Sequence, residues 1–133
     1  MPSFGRRSER NLVTCDNDVQ IVCRELIKTV DFSVLCGFRN KEKQDKAYYG
    51  RPQRSTKKWP DSIHNTYLSK AVDLAPYPID WEDRERFAYF AGHVMRLAQV
   101  MGIPFIWGAD WDNDFDIQEH RLIDMPHFQK VVV

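Results

Sequence analysis

Apolar residues spaced three or four positions apart predict two main helices in this chain. The longer helix covers about 81–101, can be capped by Asp80, and has this apolar stripe: Phe87, Phe90, Ala91, Val94, Leu97, Ala98 and Met101. The shorter helix covers about 18–29, can be capped by Asp16 or Asn17, and has this stripe: Val19, Val22, Cys23, Leu26, Ile27 and Val30. We expect both stripes to face the hydrophobic core.

Short apolar or alternating segments predict strands over 32–38, 70–75, 103–107 and 127–133. In the second strand, alternation places Asp73 on the same face as Ala71 and Ala75. Val72 and Leu74 point to the other face, which can pack on the helices while the Asp73 face carries a site. The pattern predicts an α+β fold, with a small antiparallel sheet of about four strands and helices packed on one face.

Length and composition limit the class of protein. The chain has 133 residues, of which 43% are hydrophobic and 29% charged, which is typical of a soluble globular domain. We therefore expect a single domain over 1–133, with the polar segment 1–12 as a loose N-terminal arm. The formal net charge is zero, which argues against a protein that binds nucleic acid by neutralising phosphates.

Neither a membrane span nor an export signal is expected. No apolar run approaches the roughly 18 residues of a transmembrane helix, and the N-terminus lacks the apolar segment of a secretory signal. Cys15, Cys23 and Cys36 show no CxxC spacing, so we expect reduced thiols rather than a disulfide framework. These features predict a protein made in the cytoplasm, without stable membrane insertion.

Two histidines and a carboxylate have the donor types of a zinc site. Zinc binds imidazole nitrogen and carboxylate oxygen, and a catalytic site commonly has three protein ligands. His64, Asp73 and His127 would supply such a set. Asp124 precedes His127 by three residues, with Pro126 restricting the backbone between them. A carboxylate held beside the metal can act as an acid–base.

These residues lie in segments that resemble a known enzyme family. The segments are Ser62-x-His64, Ala71-Val72-Asp73-Leu74 and Asp124-x-Pro126-His127-Phe128, with Gly37-Phe38-Arg39, Lys43-Gln44 and Trp107-Gly108-Ala109-Asp110-Trp111. In this order they resemble the zinc peptidases of the D-alanyl-D-alanine carboxypeptidase class, across about residues 30–130. The nine-residue step from His64 to Asp73, without a glycine between them, is similar to the phage L-alanyl-D-glutamate endopeptidase branch.

The resemblance implies a role for each motif residue. His64, Asp73 and His127 resemble the ligands of Zn²⁺. Asp124 resembles the acid–base, and Arg39 matches an arginine that can stabilise the oxyanion. Roles in binding the substrate are expected for three further residues: Ser62, Gln44 and Trp111. Ser62 could instead orient a ligand or be a turn residue, and Gln44 could support Arg39. The fold implied is that of these peptidases and of hedgehog signalling domains.

The implied activity is zinc-dependent hydrolysis of the L-Ala–D-Glu bond in the peptidoglycan stem peptide, as in a bacteriolytic phage endolysin. We expect a monomer that reaches the cell wall after another protein has permeabilised the membrane. One alternative is a D,D-carboxypeptidase that releases terminal D-alanine, against which the long gap from His64 to Asp73 argues. Another is a non-catalytic, zinc-stabilised binding module, as hedgehog domains illustrate, whereas the presence of Asp124 favours the enzyme.

Two charged segments stand apart from these assignments. The basic loop 50–61 is either a solvated loop or the flank of a groove for an anionic substrate. The segment 110–116 alternates carboxylates, but Phe115 stands where an EF-hand loop needs glycine. An irregular calcium site and a solvated acidic loop are the two interpretations of that segment. No motif includes His120.

Overall fold

A computed structural model describes residues 1–118 and 124–131 of the chain. These residues form four α-helices: α1 (Arg6–Leu12), α2 (Asn17–Leu26), α3 (Lys41–Tyr49) and α4 (Arg84–Val100). They also form four strands and a 3₁₀ turn: β1 (Phe32–Cys36), the turn Ile63–Asn65, β2 (Ala71–Pro76), β3 (Phe105–Trp107) and β4 (His127–Lys130). The strands make one antiparallel sheet in the order β1-β2-β4-β3. The predicted α+β fold is therefore confirmed.

One face of the sheet packs on α2 and α4. Val72 and Leu74 of β2 and Phe128 of β4 are fully buried there, in one hydrophobic cluster with apolar residues of both helices. Phe90 of α4 meets Phe128 edge to face, with 6.2 Å between the ring centroids. Because side chains alternate along a strand, Asp73 points to the opposite face. That face carries the candidate site.

The expectation of a loose arm over 1–12 is wrong for the helix α1. Leu12 is fully buried in the core. Two polar side chains of α1 bind the backbone of Val34: Ser8 Oγ accepts a hydrogen bond from its N–H (3.0 Å), and Asn11 Nδ2 donates to its carbonyl (2.9 Å). An edge strand has backbone groups without a ladder partner, and β1 is such a strand. Polar residues that look solvent-exposed in the sequence thus cover the edge of the sheet.

The start of the long helix differs from its prediction. Asp16 caps α2 as expected, since its carboxylate accepts a hydrogen bond from the first helical turn (2.9 Å). Asp80 does not cap α4, because its carboxylate accepts a hydrogen bond from the N–H of Glu82 in a preceding turn (3.0 Å). Asp83 caps α4 instead, accepting from the N–H of Arg86 (3.1 Å). The chain therefore turns once more before the helix begins.

Two predictions reach beyond the described residues. β4 begins at His127 as predicted, but Val132 and Val133, the end of the predicted strand, lie outside the described part of the chain. His120 lies outside it as well. None of the described helices combines the length and the apolar character that crossing a membrane requires.

Candidate metal centre and active site

Three neighbouring strands place Cys36, Asp73 and His127 in one row across the sheet. In the antiparallel register, Cys36 of β1 pairs with Asp73 of β2, and Asp73 pairs with His127 of β4. Residues paired in this way project their side chains to the same face. His64, from the 3₁₀ turn before β2, joins the row, and its ring centroid lies 5.2 Å from that of His127.

The Asp73 carboxylate lies between the two imidazole rings at distances that suit a shared metal ion. Asp73 Oδ1 is 3.4 Å from His64 Nε2 and 3.5 Å from His127 Nδ1. Two atoms bound tetrahedrally to one Zn²⁺ at about 2.0–2.1 Å lie roughly 3.3 Å apart. The Asp73 carboxylate is thus spaced from one nitrogen of each histidine as two ligands of the same zinc ion would be.

The outer nitrogen of each histidine ring already has a partner. His64 Nδ1 is 2.8 Å from the carbonyl oxygen of Gly37, and His127 Nε2 is 2.8 Å from the side-chain oxygen of Gln129. Both partners are acceptors, so each outer nitrogen carries the proton and donates. In the neutral rings, the inner nitrogens then present lone pairs toward Asp73, as metal-binding histidines do.

Two buried atoms at this centre lack a hydrogen bond. Within residues 1–118 and 124–131, these are His64 Nε2 and Asp73 Oδ1. A buried polar atom without a partner costs free energy, and a bound cation would satisfy both atoms at once. Donor types, spacing, tautomers and unsatisfied atoms therefore all fit a divalent metal ion with nitrogen and oxygen ligands.

The electrostatics of the centre are dominated by Asp73. Burial alone would raise the pKa of Asp73, but the neighbouring His127 and His64 more than offset burial and hold that pKa well below its usual range. Burial alone would lower the pKa of His64, but Asp73 reverses this and raises it to about 10. Asp73 is therefore ionised beside the two imidazole rings, as a carboxylate that binds a metal ion must be.

Cys36 is the residue at this centre that the sequence did not indicate. Ligand atoms of Cys36, His64 and Asp73 lie within 4.8 Å of one another, which makes the thiol an alternative ligand. Its Sγ, however, is 3.9 Å from His64 Nδ1, the nitrogen that faces Gly37 rather than the centre. The position of Cys36 follows from its register with Asp73, and an isolated cysteine gives no signal of that in a sequence.

Ser62 and Asn65 fix the backbone that presents His64. Ser62 Oγ accepts a hydrogen bond from the N–H of His64 (3.2 Å), and Asn65 Oδ1 accepts one from the N–H of Ser62 (3.0 Å). The carbonyl of His64 accepts a further hydrogen bond from the N–H of Arg39 (2.8 Å). Ser62 thus orients a candidate ligand, and it also lines the cleft where its predicted contact with a substrate would occur.

Gly108 holds the segment that carries Asp124 against the metal centre. Its carbonyl accepts a hydrogen bond from the N–H of Asp124 (2.7 Å), and its own N–H donates to the carbonyl of His127 (2.7 Å). A Cβ at position 108 would collide with the carbonyl oxygen of Asp124 and lie 2.9 Å from Cβ of His127. Asp124 lines the cleft, where partial burial and the charge of Asp73 raise its pKa.

Arg39 reaches the centre with its guanidinium held by Gln44. Its Nη2 is 3.8 Å from Asp73 Oδ2, and its Nη1 donates to Gln44 Oε1 (2.9 Å). The prediction that Gln44 binds substrate is wrong, because its side chain is completely buried and makes four hydrogen bonds. The other three join it to Asn65 Nδ2 (3.0 Å), Ser55 Oγ (3.0 Å) and the carbonyl of Lys57 (2.6 Å).

An open cleft of about 650 Å³ leads to the candidate metal centre. Trp111 lines it, with its ring centroid 5.4 Å from that of His127. The cleft is also lined by basic residues, of which two come from α3 and two from the predicted basic loop: Lys43, Lys46, Arg54 and Lys57. Of the two interpretations of the loop 50–61, the structure favours the flank of a groove.

The acidic segment after β3 is organised by Asp110. The Asp110 carboxylate accepts hydrogen bonds from the N–H groups of Asp114 (3.2 Å) and Phe115 (3.0 Å). Oxygens of Asp110, Asp112 and Asp114 lie within 4.8 Å of one another. Internal hydrogen bonding accounts for the position of Asp110, and the two interpretations of this segment, a solvated acidic loop and an irregular calcium site, both stay open.

Comparisons with known proteins identify the family of this chain. The model of the phage L-alanyl-D-glutamate peptidase family matches residues 2–131. The L-alanyl-D-glutamate peptidase of Escherichia phage T5 is 30% identical over 121 residues, which are 87% of this chain and 86% of that protein. The crystal structure of the Serratia marcescens L-Ala D-Glu endopeptidase ChiX has a TM-score of 0.69 and 29% identity, over 96% of this chain and 89% of that one. The similarity covers all the motif residues described above.

Proposed function

The chain belongs to the phage L-alanyl-D-glutamate peptidase family, and from that premise we propose that it is a zinc-dependent endopeptidase of peptidoglycan. The bond hydrolysed is that between L-alanine and D-glutamate in the stem peptide. The observation that carries the proposal is the position of Asp73 Oδ1, 3.4 Å from His64 Nε2 and 3.5 Å from His127 Nδ1, at the base of an open cleft.

Each residue of the centre has a distinct task in this proposal. His64, Asp73 and His127 hold the zinc ion. When bound, zinc supplies Lewis acidity that polarises a carbonyl group and makes water more acidic. Asp124 lines the cleft beside these ligands, accepts the proton of the attacking water and delivers it to the departing amine of D-glutamate.

Arg39 stabilises the negative charge that develops on the carbonyl oxygen. A guanidinium held in place before the reaction can donate hydrogen bonds to an oxyanion without reorganising. The side chain of Arg39 is 16% exposed and is held by Gln44, so it meets this requirement. Trp111 lines the cleft beside His127 and offers an aromatic surface to the peptide.

Digestion of purified sacculi tests the proposal. The protein is incubated with peptidoglycan after dialysis against a chelator, and again after addition of Zn²⁺. Mass spectrometry should find new peptides with N-terminal D-glutamate only in the zinc-loaded sample. Asp124→Asn, which keeps the predicted ligands, is the matched control and should release little product. Release of free D-alanine, or cleavage that persists in the metal-free protein, would overturn the proposal.

A further inference from the structure

One wall of the cleft is basic, although the chain as a whole has no net charge. Lys43 and Lys46 come from α3, and Arg54 and Lys57 come from the loop that follows it. We call these four residues the basic wall. Asp124 also lines the cleft, beside the metal ligands. A substrate that enters the cleft therefore meets a concentration of positive charge beside the centre.

The loop part of the basic wall is tied to the catalytic residues through Gln44. The side-chain amide of Gln44 donates to Ser55 Oγ and to the carbonyl of Lys57, while its oxygen accepts from Arg39. The same loop is fastened to the end of α3, because the carbonyl of Ala47 accepts hydrogen bonds from the N–H groups of residues 54 (2.8 Å) and 55 (3.0 Å). The loop is therefore built against the site rather than loosely solvated.

The charges of the basic wall are largely uncompensated. Among the residues that the structure describes, no carboxylate lies within ion-pair distance of Lys43, Arg54 or Lys57. Lys46 lies 3.8 Å from Glu42, but both side chains are 79% exposed, so solvent screens that pair strongly. These cations are available to an anionic group of a ligand.

The chemistry of D-glutamate supplies such a group. Glutamate has two carboxyl groups, and a linear peptide uses only one of them for the onward amide bond. The other stays ionised at neutral pH, on the residue whose amine is released by hydrolysis. Lysine and especially arginine recognise carboxylates by charge-assisted hydrogen bonds.

We propose that the basic wall binds the free carboxylate of the D-glutamyl residue and makes this carboxylate a determinant of specificity. The proposal rests on the proposed function, since it assigns the leaving-group side of the substrate to the α3 side of the cleft. It follows that a substrate in which this carboxylate is an uncharged carboxamide binds weakly. Arg54 and Lys57 are specificity-determining residues, and they take no part in proton transfer.

Two matched substrates test this inference. One is a soluble peptide with L-Ala–D-Glu linked onward through the γ-carboxyl group, and the other is identical except for a carboxamide in place of the free α-carboxylate. The zinc-loaded wild-type protein should cleave the first with kcat/KM at least about tenfold higher, mainly through a lower KM. The preference should shrink as salt is added, because these side chains are exposed.

Variants of the wall separate specificity from catalysis. The double variant Arg54→Gln, Lys57→Gln should lose most of the preference, with an increase in KM for the carboxylate peptide and little change for the carboxamide peptide. Lys28→Gln is the matched control, because it removes an exposed charge just after the end of α2. This variant should retain the wild-type preference.

The outcomes of this test are distinct. Equal cleavage of both peptides by the wild type, or an equal loss on both peptides in the double variant, would overturn the inference while the proposed function stands. Failure of the zinc-loaded wild type to cut either peptide at the L-Ala–D-Glu bond would overturn the proposed function itself.

Discussion

Asp73 and His127 form a directly opposed pair on the antiparallel strands β2 and β4, with His127 Nδ1 3.5 Å from Asp73 Oδ1. The register of the sheet, rather than the conformation of a loop, sets this distance. Strands restrain such positions better than loops do, so these two predicted ligands are held in place by the sheet itself. The remaining predicted ligand, His64, is held by the capping interactions of Ser62 and Asn65.

The identity of the third ligand can be tested by metal content. We expect His64→Ala and His127→Ala to lose bound zinc after dialysis, whereas Cys36→Ser retains about one zinc per chain. The reason is that Cys36 Sγ is 3.9 Å from the outer nitrogen of His64, which donates to Gly37. Elemental analysis of the dialysed proteins measures this, and zinc loss in Cys36→Ser with retention in His127→Ala would instead support the ligand set with Cys36.

Replacement of Asp124 should separate catalysis from metal binding. We expect Asp124→Asn to lower kcat by a factor on the order of 10² to 10⁴, because the amide cannot accept the proton of the attacking water. Zinc content should stay at the wild-type level, since the predicted ligands are unchanged. Hydrolysis of the L-Ala–D-Glu peptide is the assay, and a kcat within about twofold of wild type would exclude Asp124 as the acid–base.

Gly108→Ala tests the close contact that positions Asp124. The added methyl group would collide with the backbone of Asp124 and with His127, so we expect a fall in kcat and weaker zinc binding. Gly92→Ala is the matched control, because nothing lies within 4 Å of a Cβ there and the position is inside α4. It should raise the free energy of unfolding by about 0.5–1 kcal/mol and leave activity unchanged.

Gln44 should contribute to stability and activity together. In Gln44→Ala, three neighbouring polar groups and Arg39 lose a buried partner, and each unsatisfied group costs about 1–3 kcal/mol. We therefore expect a lower free energy of unfolding in urea and a lower kcat from a less restrained Arg39. Gln53→Ala, at an exposed position of the same loop, should change neither quantity appreciably.

The pH dependence of stability can be tested at Asp16. Burial alone would raise the pKa of Asp16, but the hydrogen bond from the N–H of Asp18 and the charge of Lys130 more than offset it, so the pKa lies below its ordinary value of 3.8. Because its pKa is lower in the folded protein than in the unfolded chain, Asp16 stabilises the fold at any pH above the unfolded-state pKa. That stabilisation is lost as the pH falls through the folded-state pKa.

Asp16→Asn keeps a capping side chain but removes the charge. At pH 7 we expect the variant to be less stable than wild type by about 0.5–1 kcal/mol, because the carboxylate is only 20% exposed and its ion pairs are partly screened. The difference should shrink below about pH 4, where the carboxylate of the wild type becomes protonated. Urea unfolding at both pH values measures this, and a constant difference would show that charge is not the cause.

The sequence by itself predicted the elements and the family. Hydrophobic periodicity located α2, α4 and the alternating faces of β2, because burial on one side of a helix or strand leaves a local pattern. The family inferred from the motifs is confirmed by the match over residues 2–131. The motifs also indicated His64, Asp73 and His127 as metal ligands and Asp124 as the acid–base, because these are the donor types of zinc chemistry. These roles stay predictions.

Only the tertiary structure decided which residues from distant parts of the chain contact one another. The register between β1 and β2 brings Cys36 beside Asp73. The complete burial of Gln44 decides between the two roles expected for it, and leaves the support of Arg39. The packing of α1 on β1 and the position of the basic wall beside the cleft also depend on contacts between distant segments. Periodicity records whether a residue is buried, but not which remote residue it meets, because that is fixed only when the strands pair and the helices pack.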